Sequence, residues 1–278
     1  MPVIAMTHEM GSLARDVALE LASRLGLRSM QHEVGDLIAE RMHLPKSLIR
    51  RLREGKAGLL EKFGADEGSE AIFTAEEVLS IASQGDAVIR GWGATCLLRP
   101  VPHIPCIRVT RSTQNRVQWL MENLDLDDAE MALHEIRRSD SAHAARMHER
   151  FGVTWGDPVL YDLTLNTDRL SIESCVTQIL NLLGRPEFRE TDESRMKLGN
   201  MTLEAHVKAA LRSDSATHDV RVSIEANAGK ITLKGIVVST SERESVEHVV
   251  RAVSGVTELD DQLKVMAGSK LFPSSKYS

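Results

Sequence analysis

The opening stretch, Pro2 to Leu27 (PVIAMTHEMGSLARDVALELASRLGL), constrains the fold more than any other part of the chain. Its apolar run, Val3-Ile4-Ala5-Met6, has the length and residue type of a buried strand. A short loop, Thr7 to Leu13, carries Gly11 and Ser12. Beyond it Val17, Leu21 and Leu25, with Ala18 and Ala22 beside them, recur at the spacing of one helical face. Gly26 stands where such a helix stops. Strand, glycine-bearing loop and amphipathic helix is the layout that holds a phosphate on the free N–H groups and positive end of a helix. It is equally the start of many α/β domains, and both readings stand at this point.

The usual phosphate loop reads G-x-x-x-x-G-K-[ST], with a lysine on the phosphates and a hydroxyl on the metal. The matching stretch here, His8 to Asp16, has no lysine, and Leu13 and Ala14 occupy positions where close phosphate approach favours glycine. Arg15 is the available positive charge and Asp16 the group within reach of magnesium.

Further along, Arg28 to Met42 and Leu44 to Glu54 read as two helices split by Pro45, with Lys46, Arg50, Arg51, Arg53 and Lys56 on their outer faces. Thr74-Ala75-Glu76-Glu77 has the pattern of a capping box and predicts a helix from there to about Gln84. Ala87 to Gly91 reads as a second buried strand, leading through Trp92-Gly93-Ala94 into a short helix to Arg99. A strand over Ile104 to Thr110 and a helix capped by Ser112 through Leu124 come next. Asp127 with Glu130 opens a long charged helix to about Arg150. The strand Tyr161 to Leu165 then leads through Asn166-Thr167 to a helix, Ile172 to Leu183, ending at Gly184.

This alternation predicts an α/β domain over residues 1–185, three layers deep, with a mostly parallel sheet. Ligands bind beyond the carboxyl ends of such strands, here His8 to Ser12, Arg90 to Gly93, Thr110-Arg111 and Asn166-Thr167. Residues 186–200 are polar, contain Pro186 and read as a linker. Residues 201–267 then have a different texture: a helix, Leu203 to Leu211, and two alternating strands around the turn Asn227-Ala228-Gly229. A helix capped by Ser239 or Thr240 and a final strand, Thr257 to Val265, complete a small α+β domain. A disordered tail is expected over 268–278.

Charge narrows the function classes. A net charge of −6, with acids and bases interspersed, gives no bulk attraction to nucleic acid or anionic membrane. No apolar stretch approaches the length of a membrane span, no secretory signal is visible, and three widely spaced cysteines predict reduced, buried thiols. A cytoplasmic location is therefore expected. His134, His143 and His148 lack the i,i+4 spacing of paired ligands, so no structural metal is predicted, and no nucleophile–base pair points to hydrolysis.

Three stretches carry a resemblance: IAMTHEMGSLARDVALELASRLGL, VIRGWGATCLLR, and ERFGVTWGDPVLYDLTLNTDRLSIESCVTQIL. Together they resemble the cytidylate-kinase-like family of P-loop proteins. Residues 201–267, through VRVSIEANAGKITLKGIVVSTSERESVEHVV and VSGVTELDDQLKV, resemble a BON domain. The first resemblance implies a nucleoside-monophosphate kinase fold using ATP and Mg2+, with a nucleotide partner. It assigns Gly11, Ser12, Leu13, Ala14, Arg15 and Asp16 to the phosphate loop, and Arg90, Gly91 and Gly93 to the acceptor side. It places Arg137, Arg138 and Arg146, with Arg150 and the orienting acid Asp140, on a basic lid helix. A solvated charged face is the other reading of Arg137 and Arg138. The second resemblance implies a module that binds a phospholipid surface or another protein. Trp92 stands where the family tends to have arginine, and His143 where the lid would carry one. Two functions stand open: phosphoryl transfer to a nucleoside monophosphate or other small acceptor, or an inactive pseudo-kinase acting as an adaptor through its BON domain.

Overall fold

A computed structural model of the chain describes residues 2–53, 56, 67–124 and 128–266. The chain divides into two compact units, residues 1–202 and 203–278.

The first unit is built on five parallel strands in the order β2-β3-β1-β4-β5. These are β1 (Val3–His8), β2 (Arg28–Met30), β3 (Ala87–Arg90), β4 (Cys106–Thr110) and β5 (Leu163–Asn166). Ile4 lies opposite Val88 on β3, and Ala5 opposite Cys106 on β4, so β1 is central. The three central strands β1, β3 and β4 are buried on both faces and read as mainly apolar runs. Ile4 and Met6 pack with α1 (Ala14–Leu25) and the helix Ile172–Leu183, and Val3 and Ala5, equally buried, face the opposite layer. The result is the P-loop kinase fold, a sheet flanked by helices. Because β1 lies between β3 and β4, the chain leaves it to one side and later returns to the other. That reversal opens a crevice at the carboxyl end of β1.

Among the described residues, the helices of this unit include α1, α2 (His32–Arg41), α3 (Lys46–Arg53), α4 (Glu67–Gln84), α5 (Ala94–Leu97), α6 (Thr113–Leu124), α7 (Ala129–Phe151) and α8 (Ile172–Leu183). Several depart from the sequence-based expectation. Arg28–Met30 is a strand that pairs with β3, where a helix was expected. Helix α4 is already formed at Glu67, so Thr74 is a buried interior residue and caps nothing. Asp128 caps α7 through Glu130 N, and the expected opener Asp127 lies outside the described residues. Helix α9 (Asp192–Ser213) and a 3-10 turn, Pro186–Phe188, replace the expected linker over 186–200. Ser194 and Leu198 are buried there, because a small hydroxyl and one leucine give a packed face too sparse to show as periodicity. The expected disordered tail, 268–278, lies outside the described residues.

In the second unit, β6 (Ser223–Asn227) and β7 (Lys230–Val237) form an antiparallel hairpin. Helix α10 (Thr240–Ala252) then carries the chain to β8 (Glu258–Val265), which pairs parallel to β7. The hairpin turn places Ala228 and Gly229 at positive φ, 49° and 90°. A Cβ on Gly229 would fall 2.7 Å from Thr257 Oγ1. Leu203, Val207 and Leu211 of α9 close the core over Ile231, Leu233, Val246 and Val250. No described helix is long and apolar enough to cross a membrane.

Candidate active site

A cavity of about 360 Å³ opens at the carboxyl ends of β1 and β3. Its floor is the loop from His8 to Asp16, and the phosphate-loop candidates Gly11, Ser12, Leu13, Ala14, Arg15 and Asp16 all line it. Gly11 (φ 78°) and Leu13 (φ 60°) both take the left-handed conformation, which turns the loop sharply into α1. The loop's carbonyl oxygens are engaged on its outer side. Arg116 Nε donates to Met10 O at 2.7 Å, and Thr167 Oγ1 donates to Ser12 O at 2.9 Å. Ser12 N bonds back to Glu9 O, and Asp16 N and Val17 N both bond to Leu13 O. Among the described residues, the N–H groups of Gly11, Leu13, Ala14 and Arg15 donate to no backbone carbonyl. With the dipole of a twelve-residue helix behind them, these donors form an anion-sized nest.

The charges around the nest follow one pattern: most acids already hold a cation. Glu9 accepts from Arg108 Nη2 at 2.6 Å, from Thr110 Oγ1 at 2.7 Å and from Arg111 N at 3.2 Å. Asp36 pairs with Lys46 at 2.7 Å. Asp140 is held by both terminal nitrogens of Arg116, at 2.9 and 2.7 Å. By contrast Arg15, Arg50 and Arg90 line the cavity with no ion pair among the described residues. Arg90 is only 7% exposed, and its Nε is buried without a hydrogen-bond partner. Burial, reinforced by Arg15, pulls its pKa down to about 10. A guanidinium remains charged at neutral pH even so. The shift therefore marks a buried cation short of counter-charge.

The remaining candidates divide. Gly91 lines the cavity and donates its N–H to Met6 O at 2.8 Å. Arg146 lines it too, donating to Leu52 O at 2.9 Å. Gly93 does not. It gives way to a ring, since a Cβ there would fall 2.7 Å from Phe151. Arg137 is exposed and Arg138 is paired with Glu135, so neither reaches the cavity. Helix periodicity is the reason. The α7 face that meets the site carries Ser139, Asp140, His143 and Arg146, and Arg137 and Arg138 fall outside that stripe. Arg150 pairs with Glu70 instead of serving a lid.

Three tryptophans, Trp92, Trp119 and Trp155, complete the walls. Trp92 is 7% exposed, donates Nε1–H to Gln31 O at 2.6 Å and packs on Gly35. Trp155 donates to Thr7 Oγ1 at 3.1 Å, meets the His143 ring at a 52° tilt with centroids 4.4 Å apart and receives Arg108 over its ring at 4.5 Å. Among the described residues no three His, Cys, Asp or Glu converge on a metal.

The reading from sequence missed Arg116, although a signal existed. Arg116 and Leu120 are both buried, one helical turn apart on the inward face of α6. A cation on that stripe needs a partner.

Comparison with known proteins agrees with the architecture. Residues 201–267 match the BON domain. An 81-residue stretch is 32% identical to osmotically-inducible protein Y of Escherichia coli (strain K12), covering 28% of this chain and 40% of that protein. This chain thus spans well under half of that relative's length. An uncharacterized protein from Eubacterium ventriosum superposes with a TM-score of 0.52 at 19% identity, over 66% of this chain and all of the other, a likeness of fold alone. A shikimate kinase from Bacteroides thetaiotaomicron, at TM-score 0.41 and 17% identity over 66% of this chain and 99% of its own, is too distant to bear on the site. Residues 3–169, which contain every strand of the first sheet and the whole cavity, match the cytidylate kinase-like family, and the chain belongs to that family.

Proposed function

We propose that the first unit binds the phosphates of ATP on the amides of Gly11, Leu13, Ala14 and Arg15 and passes the γ-phosphoryl group to a small anionic acceptor, such as a nucleoside monophosphate. One observation carries this reading: N–H donors without a backbone acceptor and three guanidiniums, Arg15, Arg50 and Arg90, without an ion pair among the described residues line one cavity. Phosphoryl transfer asks of a protein mainly positioning and charge neutralisation. Arg15, at the end of the nest, neutralises the triphosphate with a fork suited to phosphate oxygens. Arg90, at the end of β3, holds the acceptor's phosphate, and Gly91 lines the wall beside it. Arg146, reaching in from α7, faces the transferring group.

Magnesium has a fitting ligand in Asp16, a carboxylate on the cavity wall with no ion pair among the described residues. Mg2+ is commonly held by one or two carboxylates together with substrate phosphates, and there it offsets the phosphate charge. This function places the protein where ATP is held, in the cytoplasm, with the BON domain as a point of attachment to a phospholipid surface or a protein.

A second reading, the pseudo-kinase adaptor, is favoured by Leu13. A leucine side chain lines the nest where the phosphate chain must approach. Calorimetric titration with ATP–Mg and with CMP separates the two. Micromolar binding of both, with ADP production lost in Arg15→Ala, supports the kinase. Binding of neither supports the adaptor.

A further inference from the structure

Arg116 touches three parts of the site at once. Its side chain is 4% exposed. Nε donates to Met10 O in the loop at 2.7 Å, and the two Nη atoms grip Asp140 on α7. Glu9 Oε2 lies 3.7 Å away. The loop rests on the same helix turn, since a Cβ on Gly11 would meet Arg116 O at 3.2 Å. A buried guanidinium with all of its nitrogens engaged is held in one geometry and cannot swing toward a ligand.

We propose that Arg116 is a positioning residue: it holds the Met10 carbonyl outward so that the loop's N–H groups face the cavity, and Asp140 orients it for that task. The proposal rests on the phosphate-binding reading for its purpose, but its geometry stands without any ligand. Asp140 is then an orienter of Arg116, and its bond fixes the α7 face carrying His143 and Arg146 relative to the nest. Thr167 does for Ser12 O, from the other side, what Arg116 does for Met10 O. A lysine in place of Arg116 keeps the charge but cannot reach the carbonyl and both carboxylate oxygens together.

Residue-resolved amide exchange on the full-length protein, without ligand, tests this in Arg116→Lys, Arg116→Ala and Asp140→Asn. The amides to watch are Ser12, Asp16 and Val17, which bond within the loop. Their exchange should quicken roughly tenfold or more in Arg116→Lys, the effect of losing a charge-assisted hydrogen bond. Asp140→Asn should quicken the same amides less, and the double variant Arg116→Lys/Asp140→Asn no more than Arg116→Lys alone. Wild-type exchange in Arg116→Lys would overturn the proposal, because charge balance alone would then suffice. Additive effects of the two changes would overturn it as well, since the residues would be acting separately. Should Arg116→Ala fail to fold, the lysine and asparagine variants still decide. A wild-type protein that ignores ATP–Mg sinks the kinase reading and leaves the exchange result to judge Arg116.

Discussion

The loops that follow β1 and β3 each place a large side chain in left-handed backbone, Leu13 at φ 60° and Trp92 at φ 59°. That conformation costs an ordinary residue roughly 1–2 kcal/mol, so each must be held by something. Trp92 is held by its own side chain: the indole is buried, bonded to Gln31 O and seated on Gly35. Leu13 is only half-buried and lines the nest, and its conformation is imposed by backbone bonds on either side. Asp16 N and Val17 N bond its carbonyl, and Thr167 pins the preceding one. The same strain is thus offset by side-chain packing in one loop and by backbone hydrogen bonds in the other. Strain alone does not mark a functional residue; what the side chain touches decides.

Trp92→Ala should give the largest effect, because it removes both the packing and the indole hydrogen bond. Large-to-small changes of this kind cost about 3–5 kcal/mol. Thermal melting of the full chain should show a fall on the order of 10 °C. A smaller fall than that of Leu13→Ala would break the contrast between the two loops. Gly93→Ala comes next. It adds a Cβ 2.7 Å from Phe151 at a φ of 69°, a combination of strain and overpacking costing about 2 kcal/mol. Phe151→Ala should recover part of that loss, and melting of the double variant measures it.

Leu13→Gly sharpens the comparison from the other side. Relief of the left-handed strain and the added chain entropy of glycine nearly cancel, leaving stability within about 1 kcal/mol of wild type. The effect should appear in binding: ATP–Mg affinity rises as the wall of the nest recedes. Unchanged affinity by calorimetry would show that Leu13 leaves the phosphate path open.

These contrasts also explain what could be read from the chain. The strands Val3–His8 and Ala87–Arg90 were visible as apolar runs because both faces of each are covered. Helix Ile172–Leu183 was visible through its apolar face and terminal Gly184, and Ser171 caps it by accepting from Ser174 N. Strand Arg28–Met30 was not, since three residues with a polar edge carry no period. The Gly11–Asp16 loop was legible through local spacing. Its support was not: Arg116 meets Met10 across 106 positions of sequence, and a contact of that range leaves no local pattern. Gly93 looked like a ligand glycine for the same reason, its partner Phe151 being far along the chain.

The amino ends of the strands offer a control region, away from the cavity, where the smallest effect is expected. His103 precedes β4, is 8% exposed, and shares a 2.7 Å hydrogen bond between Nδ1 and Ser194 Oγ. Burial holds its pKa below the ordinary 6.5, with Arg195 pushing the same way and Glu190 opposing. The unfolded chain therefore binds the proton at a higher pH than the folded one. Stability from this neutral imidazole is complete above 6.5 and is lost as pH falls from there toward the lower folded value. Melting temperature should decline over that window, and His103→Gln should flatten the part of the decline that belongs to this residue. The Leu13 and Trp92 effects should keep their order at every pH in the window, because neither loop contains His103. If acidification reversed that order, the two ends of the sheet would be coupled, and the contrast between the loops would no longer be a property of the loops alone.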